Sequence, residues 1–203
     1  MAIHLLGNGP SIRYFARDGW SNSEDIFVGC NFSDPDLEPN YTTIIDVNAI
    51  RKLCKIGTPS LQIPALVSKR AHKYLTDTSK VTVFDVIDVE QDRSISSNLT
   101  MNAGQHGLLY AIRNNSKERT IHIWGTDSFW GDDLVSASDA IMRPQHTTPR
   151  IKPQITRTWR KYWSKIFNEY TNHTFFIHSP VGVFVPIDVT KHHNVLMSRW
   201  DMT

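Results

Sequence analysis

The sequence has few cysteines, no long apolar run and no large excess of charge of either sign. Its two cysteines, Cys30 and Cys54, are too few for a disulfide framework or a cysteine-rich zinc site. No stretch of roughly 18 apolar residues is present, so we expect no membrane span. The first residues lack a basic segment followed by an apolar one, so we expect no signal peptide and a cytoplasmic protein. The net charge of +2 is too small to indicate a nucleic-acid partner.

In other respects the amino-acid composition is that of an ordinary globular protein. Of the 203 residues, 40% are hydrophobic and 21% are charged, which is enough for one buried core and predicts a single domain over residues 1–203. Continuous apolar runs alternate with amphipathic segments, and this predicts an α/β fold with a mostly parallel sheet. Strands are predicted at Ala2–Leu6, Asp25–Cys30, Thr42–Val47, Ser60–Ile63, Val81–Val86, Thr120–Trp124 and Thr174–His178. Helices are predicted at Ser11–Arg17, Val47–Lys55, Leu66–Thr76, Asn102–Asn114 and Gln154–Tyr170.

A long segment between the predicted strand Thr120–Trp124 and the predicted helix Gln154–Tyr170 has little hydrophobic periodicity. It runs over about residues 128–153 and contains Pro144, Pro149 and Pro153. Long segments of this kind in compact domains often carry function. We therefore predict a loop or lid there.

A glycine-rich turn follows the first predicted strand. Gly7 and Gly9 permit a tight turn, and Pro10 suits the first position of a helix. Such a strand–turn–helix junction favours a bound phosphate, although an ordinary βα turn has the same composition. It is not a dinucleotide fingerprint, because Ile12 stands where the third glycine would be, and the second strand ends at Asn31 rather than at an acidic residue.

Two asparagine-bearing turns and a later block resemble a known family. The segment Gly7–Ser11, followed by Gly29–Phe32, resembles the opening of the glycosyltransferase family 42 sialyltransferases. The same opening is similar to a wider nucleotide-binding group that includes motility-associated sugar transferases and an archaeal pterin diphosphokinase. The segments Ala103–Ile112 and Ile121–Phe129 resemble the family's later helix, strand and Gly-x-Asp loop. His146 stands in a loop before the long helix, where the family has its catalytic histidine.

The resemblance implies a Rossmann-like, GT-A-type fold with helices on both faces of the sheet. It implies transfer of a sugar, possibly one similar to sialic acid, from a nucleotide donor to a hydroxyl of a glycan or small-molecule acceptor, without a metal or other cofactor. His146 would deprotonate the acceptor hydroxyl, a task that suits a neutral imidazole. The residues that would contact the nucleotide or its phosphate are Gly7, Asn8, Gly9, Pro10, Ser11, Asn31, Asn48, Gly104, Gly125 and Asp127.

The sequence departs from the family at the groups that hold the leaving phosphate. Phe129 stands where the family has the first of two tyrosines, and no tyrosine lies between Tyr110 and Tyr162. We therefore predict that Arg143 or Arg150 supplies the phosphate contact. These arginines belong to a basic stretch that extends to the end of the long helix, and a solvated helix face or a nucleic-acid contact would explain the same composition.

Two other functions share the glycine turn. A pyrophosphokinase-like phosphotransferase would need Mg²⁺, and Asp127, Asp132 and Asp133 would then converge on the ion. A non-catalytic nucleotide-binding protein on the same scaffold would need no general base. The missing tyrosines keep this second alternative open.

Overall fold

The computed structural model has an α/β, Rossmann-like fold built on one parallel sheet. It describes residues 1–15, 23–31, 37–47, 49–51, 63–84, 101–132 and 153–200. Within these residues the sheet has eight strands in the order β5-β4-β3-β2-β1-β6-β7-β8, and each neighbouring pair is parallel. The strands are β1 (Ile3–Leu6), β2 (Ile26–Cys30), β3 (Tyr41–Ile44), β4 (Ala65–Ser68), β5 (Val81–Phe84), β6 (Thr120–Trp124), β7 (Thr174–Pro180) and β8 (Val195–Trp200).

One face of the sheet packs against the two long helices. These are α2 (Ala103–Asn114) and α3 (Pro153–Glu169), and they share a buried apolar cluster with residues of β1, β2, β6 and β7. The wide apolar stripe of α3, which includes the fully buried Trp163 and Phe167, accounts for its position. Both helices therefore confirm the predicted helical segments, with end points that differ by one residue.

The other face is covered at the β3–β4 end by shorter segments. Ile44 and Val67 point away from α2, because successive side chains of a strand alternate between faces. They pack with residues 49–51 and with the short helix α1 (Lys69–His72). A further short helix of α type, α4 (Ile187–Thr190), contacts α3, and two 3₁₀ helices occupy Pro10–Tyr14 and Asp127–Phe129.

The chain fills one side of the sheet outward from β1 and then the other side. Strands β2 to β5 continue on one side of β1, whereas β6 to β8 continue on the other, so the turns after β1 and β6 are neighbours. In open parallel sheets a crevice forms at this point, outside the carboxyl ends of the strands. The fold thus brings together turns that are far apart in the sequence.

The sequence prediction of a helix over Leu66–Thr76 is wrong at its start. Leu66 to Ser68 belong to β4 rather than to a helix that spans Leu66–Thr76, and α1 begins only after Ser68, whose hydroxyl accepts from the N–H of Ala71. A short apolar run fits both a buried strand and a helix, and here burial in the sheet decided. The chain after Pro186, where the sequence pattern indicates no element, contains β8, an edge strand with polar residues.

No helix within the described ranges is both long enough and apolar enough to cross a lipid bilayer.

Candidate functional site

A cleft of about 110 Å³ opens at the carboxyl ends of β1, β2 and β6. It brings together most of the described residues that the resemblance assigns to the nucleotide. The residues that line it are Gly7, Asn8, Gly9, Cys30, Asn31, Asn102, Ala103, Gly104, Gly125, Thr126, Asp127, Ser128, Trp159 and Trp163. Pro10 and Ser11 follow directly in the 3₁₀ helix but are not part of the lining.

Three backbone donors of the glycine turn are bonded within the protein. The N–H groups of Gly7 and Gly9 donate to the carbonyls of Trp124 and Gly125, at 2.8 and 2.7 Å. The N–H of Ser11 donates to the Asp127 carboxylate at 3.1 Å. The turn therefore uses these three donors to join β1 to β6, and they are not left for a phosphate.

The glycines are required by the contact between the two turns. A Cβ atom at Gly7 would lie 2.4 Å from the carbonyl oxygen of Gly125, and one at Gly9 would lie 2.5 Å from Cγ of Asp127. Gly125 itself has a φ of 61°, in the left-handed region that glycine adopts without strain. The group that approaches Gly7 and Gly9 so closely therefore belongs to the protein itself.

Asp127 is a buried carboxylate at the centre of this junction. It is 8% exposed and accepts hydrogen bonds from both the hydroxyl and the backbone N–H of Ser11. Burial raises the pKa of Asp127 because it disfavours the charged form, and the bonds from Ser11 oppose that shift. Asp127 is the only charged side chain among the described residues of the lining.

The asparagines at the ends of β1 and β2 have different partners. Asn8 donates from Nδ2 to the carbonyl of Cys30 at 2.6 Å, which ties the turn after β1 to β2. Asn31 has a φ of 51°, a conformation that asparagine tolerates better than most residues. Its Oδ1 atom is buried and accepts no hydrogen bond from the described residues.

Cys30 lies beside these asparagines, and its thiol is unreactive. Burial without a compensating charge raises the pKa of its thiol to about 12, so the reactive thiolate is not populated at neutral pH. The thiol also lies 2.9 Å from the position that a Cβ atom at Gly104 would take, which explains a glycine there by packing.

The start of α2 fixes the wall opposite the glycine turn. Asn102 accepts from the N–H of Gln105, and Gln105 accepts from the N–H of Asn102, which together form a capping box. The Gln105 amide also donates to the carbonyl of Trp159 at 2.8 Å. Gln105 was not predicted as a site residue, although Asn102-x-x-Gln105 is a recognisable capping-box pattern. It links α2 to the part of α3 that faces the cleft.

Trp159 and Trp163 form an aromatic wall of the cleft, and neither is among the site residues predicted from the sequence. They lie one helical turn apart on α3, and both line the cleft. Trp163 is fully buried, and its indole N–H finds no acceptor among the described residues. Helical spacing could not separate a tryptophan in the core from one in a ligand wall, since both lie on the buried face.

Two basic residues of α3, Arg157 and Arg160, contact Asp132. Arg160 is buried and donates to Asp132 Oδ1 at 2.6 Å and to the carbonyl of Ser128 at 3.0 Å. Arg157 lies 3.4 Å from the same carboxylate, and the bonds from Arg160 above all lower the pKa of Asp132. This pairing holds the chain after β6 against α3.

Several predicted site residues lie outside the described residues. They are Asn48, Asp133, Arg143, His146 and Arg150, together with most of the predicted lid, from residue 133 to residue 152. Among the described residues there is no group of three or more histidine, cysteine or acidic side chains with a geometry that fits a metal ion.

Comparisons with protein-family models, with curated proteins and with solved structures found no match for this chain. The resemblance to sialyltransferases therefore depends on the motifs alone.

Proposed function

We propose that this protein binds a nucleotide-activated sugar in the cleft and transfers the sugar to an acceptor hydroxyl. The observation that supports this proposal is the convergence of Asn8, Asn31, Gly104, Gly125 and Asp127 on one cleft at the point where the strand order reverses. Parallel sheets bind nucleotides at such a point, and these are the positions that the family resemblance assigns to the donor. A sugar similar to sialic acid is the donor class that the same resemblance favours.

The proposed reaction needs a base and a group that stabilises the leaving phosphate. In this proposal His146 removes the proton from the acceptor hydroxyl as it attacks the sugar, and the nucleotide leaves with its phosphate. Phe129 cannot replace the family's tyrosine, because it is fully buried and its ring centroid lies 5.2 Å from that of Trp163. Arg143 and Arg150 are the candidates that we propose for the phosphate contact.

The Mg²⁺-dependent alternative has less support from the described carboxylates. Asp127 accepts two hydrogen bonds from Ser11, and Asp132 is paired with Arg160 and Arg157. A magnesium ion at these side chains would have to displace those partners. We therefore place the sugar-transferase proposal first.

Binding is tested with a panel of nucleotides and nucleotide sugars, with and without Mg²⁺. A ligand that binds only the folded protein raises the midpoint of thermal unfolding, and calorimetry then gives its affinity. We expect at least one nucleotide sugar to bind without Mg²⁺, and incubation with acceptor sugars to release the nucleotide. Failure of every nucleotide in the panel to bind would refute the proposal, whereas binding without turnover would favour a non-catalytic protein.

Two threonines on one strand and the turn after it provide a matched pair of variants. Thr126 lines the cleft after β6, and Thr120 lies at the opposite end of the same strand. Both are partly exposed. Thr126→Trp should fill the cleft and abolish binding, whereas Thr120→Trp should leave it unchanged. Equal affinity in the two variants would place the ligand elsewhere.

A further inference from the structure

The chain between β7 and α4 forms an apolar loop, residues 181–186, at the carboxyl edge of the sheet. No residue from 180 to 187 has a polar or charged side chain. Phe184 is 79% exposed and Val181 is 52% exposed. Single exposed apolar residues are ordinary, but two on one loop without polar neighbours form a patch, and exposed apolar patches mark contact surfaces.

The apolar loop is held in place at both ends. The N–H of Val181 donates to the carbonyl of Trp200 at 2.8 Å, which joins the start of the loop to the end of β8. Val185 and Val189 belong to the buried apolar cluster that includes α3. Between these ends the chain turns at Gly182, and a Cβ atom there would have no atom within 4 Å among the described residues. The exposed side chains therefore belong to an anchored loop that projects from the protein.

The chemistry and the size of the apolar loop narrow the class of partner. A sugar or a nucleotide binds in a concave site with polar groups, and residues 181–186 offer no polar side chain. A stable contact between two proteins buries about 800 Å² on each partner. Val181 and Phe184 together expose at most about 300 Å², since a whole aromatic side chain offers roughly 150–250 Å² and a valine less. A lipid surface needs no complementary partner surface, because lipids rearrange around an inserted apolar side chain.

We propose that the apolar loop docks this protein onto a phospholipid surface, with Phe184 and Val181 inserted at the boundary between headgroups and acyl chains. Aromatic and apolar side chains favour this boundary. A single loop gives weak and reversible attachment, as one acyl chain does. Because the strands are parallel, the loop after β7 lies at the same edge of the sheet as the cleft, so docking turns that edge towards the lipid. The inference does not depend on nucleotide binding.

Co-sedimentation of the full chain with vesicles tests the proposal. The probes are vesicles of phosphatidylcholine alone and vesicles that also contain phosphatidylserine, and the bound fraction at increasing lipid concentration gives the partition coefficient. Phe184→Ser should lower this coefficient by about tenfold or more, because burial of a phenylalanine side chain is worth at least that factor. Failure of the unchanged protein to sediment with either vesicle would overturn the proposal. Binding only to phosphatidylserine vesicles that Phe184→Ser leaves unchanged would indicate charge attraction elsewhere and would also overturn it.

Two exposed valines provide a matched pair of variants. Val181 lies in the apolar loop, whereas Val83 is 40% exposed on β5, the edge strand at the opposite side of the sheet. Val181→Ser should lower the partition coefficient, although by less than Phe184→Ser because the side chain is smaller. Val83→Ser should leave it unchanged. An equal loss in the two valine variants would show that the effect does not belong to the loop, and would overturn the proposal.

Two further measurements distinguish a lipid surface from other occupants of the apolar loop. Urea unfolding of Phe184→Ser should have the same midpoint as that of the unchanged protein, since an exposed side chain contributes little to stability. A clearly lower midpoint would show that the chain itself covers Phe184. Sedimentation velocity without lipid should give the same oligomeric state for both proteins, whereas a dimer lost in Phe184→Ser would identify a second copy as the partner. Either contrary result would overturn the proposal.

Discussion

Ser11 donates two hydrogen bonds to Asp127, one from its hydroxyl and one from its backbone N–H. The pair connects the turn after β1 with the turn after β6, next to the proposed ligand site. Because Asp127 is largely buried, its carboxylate depends on these bonds for most of its stabilisation. The carboxylate therefore helps to define the shape of the cleft.

The first prediction concerns this carboxylate. Asp127→Asn replaces one acceptor oxygen with an NH₂ group that faces the donors of Ser11. We expect the free energy of unfolding to fall by about 1–3 kcal/mol, the usual cost of an unmatched buried polar group. Urea denaturation measures it, with the exposed Glu169→Gln as a control that should unfold like the unchanged protein. Identical unfolding curves for the two variants would contradict the role of Asp127.

The second prediction concerns the close contact of the two turns. Gly7→Ala places a Cβ atom 2.4 Å from a backbone oxygen of Gly125, which cannot move without displacing the end of β6. We expect a loss of about 3 kcal/mol or more, at the upper end of overpacking costs. Gly182→Ala is the control, because open space surrounds it and only its φ of 88° penalises a side chain, by roughly 1–2 kcal/mol. A smaller loss at Gly7 than at Gly182 would count against the described junction.

The close contact at Gly7 and Gly9 also determines how ligand binding by glycine variants should be interpreted. A valine at Gly9 would collide with Asp127 before it met any ligand, since the position of its Cβ atom lies 2.5 Å from Cγ of that residue. Loss of binding in such a variant would report a damaged turn. Thr126→Trp is therefore the better probe of the ligand.

Three buried histidines form a row across the face of the sheet that lies away from α2 and α3. The rings of His4 and His122 stack at 4.7 Å between centroids, and those of His122 and His178 at 5.1 Å. Trp200 donates from Nε1 to Nδ1 of His178, which leaves His178 Nε2–H to donate to His122 Nδ1 at 2.9 Å. Asp25 lies 3.4 Å from His4 at the end of the row. The geometry fits neutral imidazoles.

The third prediction is loss of stability at acid pH. Burial, and next the neighbouring histidines, lower the pKa of His122 to about 4 and that of His178 to about 3, below the value of 6.5 in an unfolded chain. The unfolded chain therefore binds more protons below about pH 6.5, and stability that is complete above this pH is lost as the pH falls. The slope is about 1.4 kcal/mol per pH unit for each histidine.

Urea unfolding between about pH 7.5 and 4.5 measures this slope. His178→Gln should reduce the slope by the contribution of one histidine, whereas the exposed His193→Gln should leave the slope unchanged. Parallel curves of stability against pH for His178→Gln and the unchanged protein would show that the row does not control acid sensitivity.

Local patterns were enough to predict much of the fold. The helix that follows Asn102 and the amphipathic stripe of α3 follow from short-range rules, and so do the apolar strands at the centre of the sheet. β8 was missed because an edge strand with Ser198 and Arg199 lacks the apolar run of a central strand. The use of the glycine-turn donors could not be predicted, since Ser11 and Asp127 are separated by 116 positions in the chain and meet only through the strand order.

The fourth prediction tests the proposed catalytic base, which lies outside the described residues. A positioned general base contributes roughly 10²–10⁴-fold to the rate, so His146→Ala should lower kcat by that factor. Donor affinity should stay within about twofold, because the base acts on the acceptor and not on the nucleotide. Steady-state turnover and calorimetry with the same nucleotide sugar measure the two effects separately. His193→Ala should retain full activity as an exposed control. Full activity in His146→Ala would leave the proposed transferase without its base, and weaker donor binding with unchanged kcat would make His146 a donor contact instead.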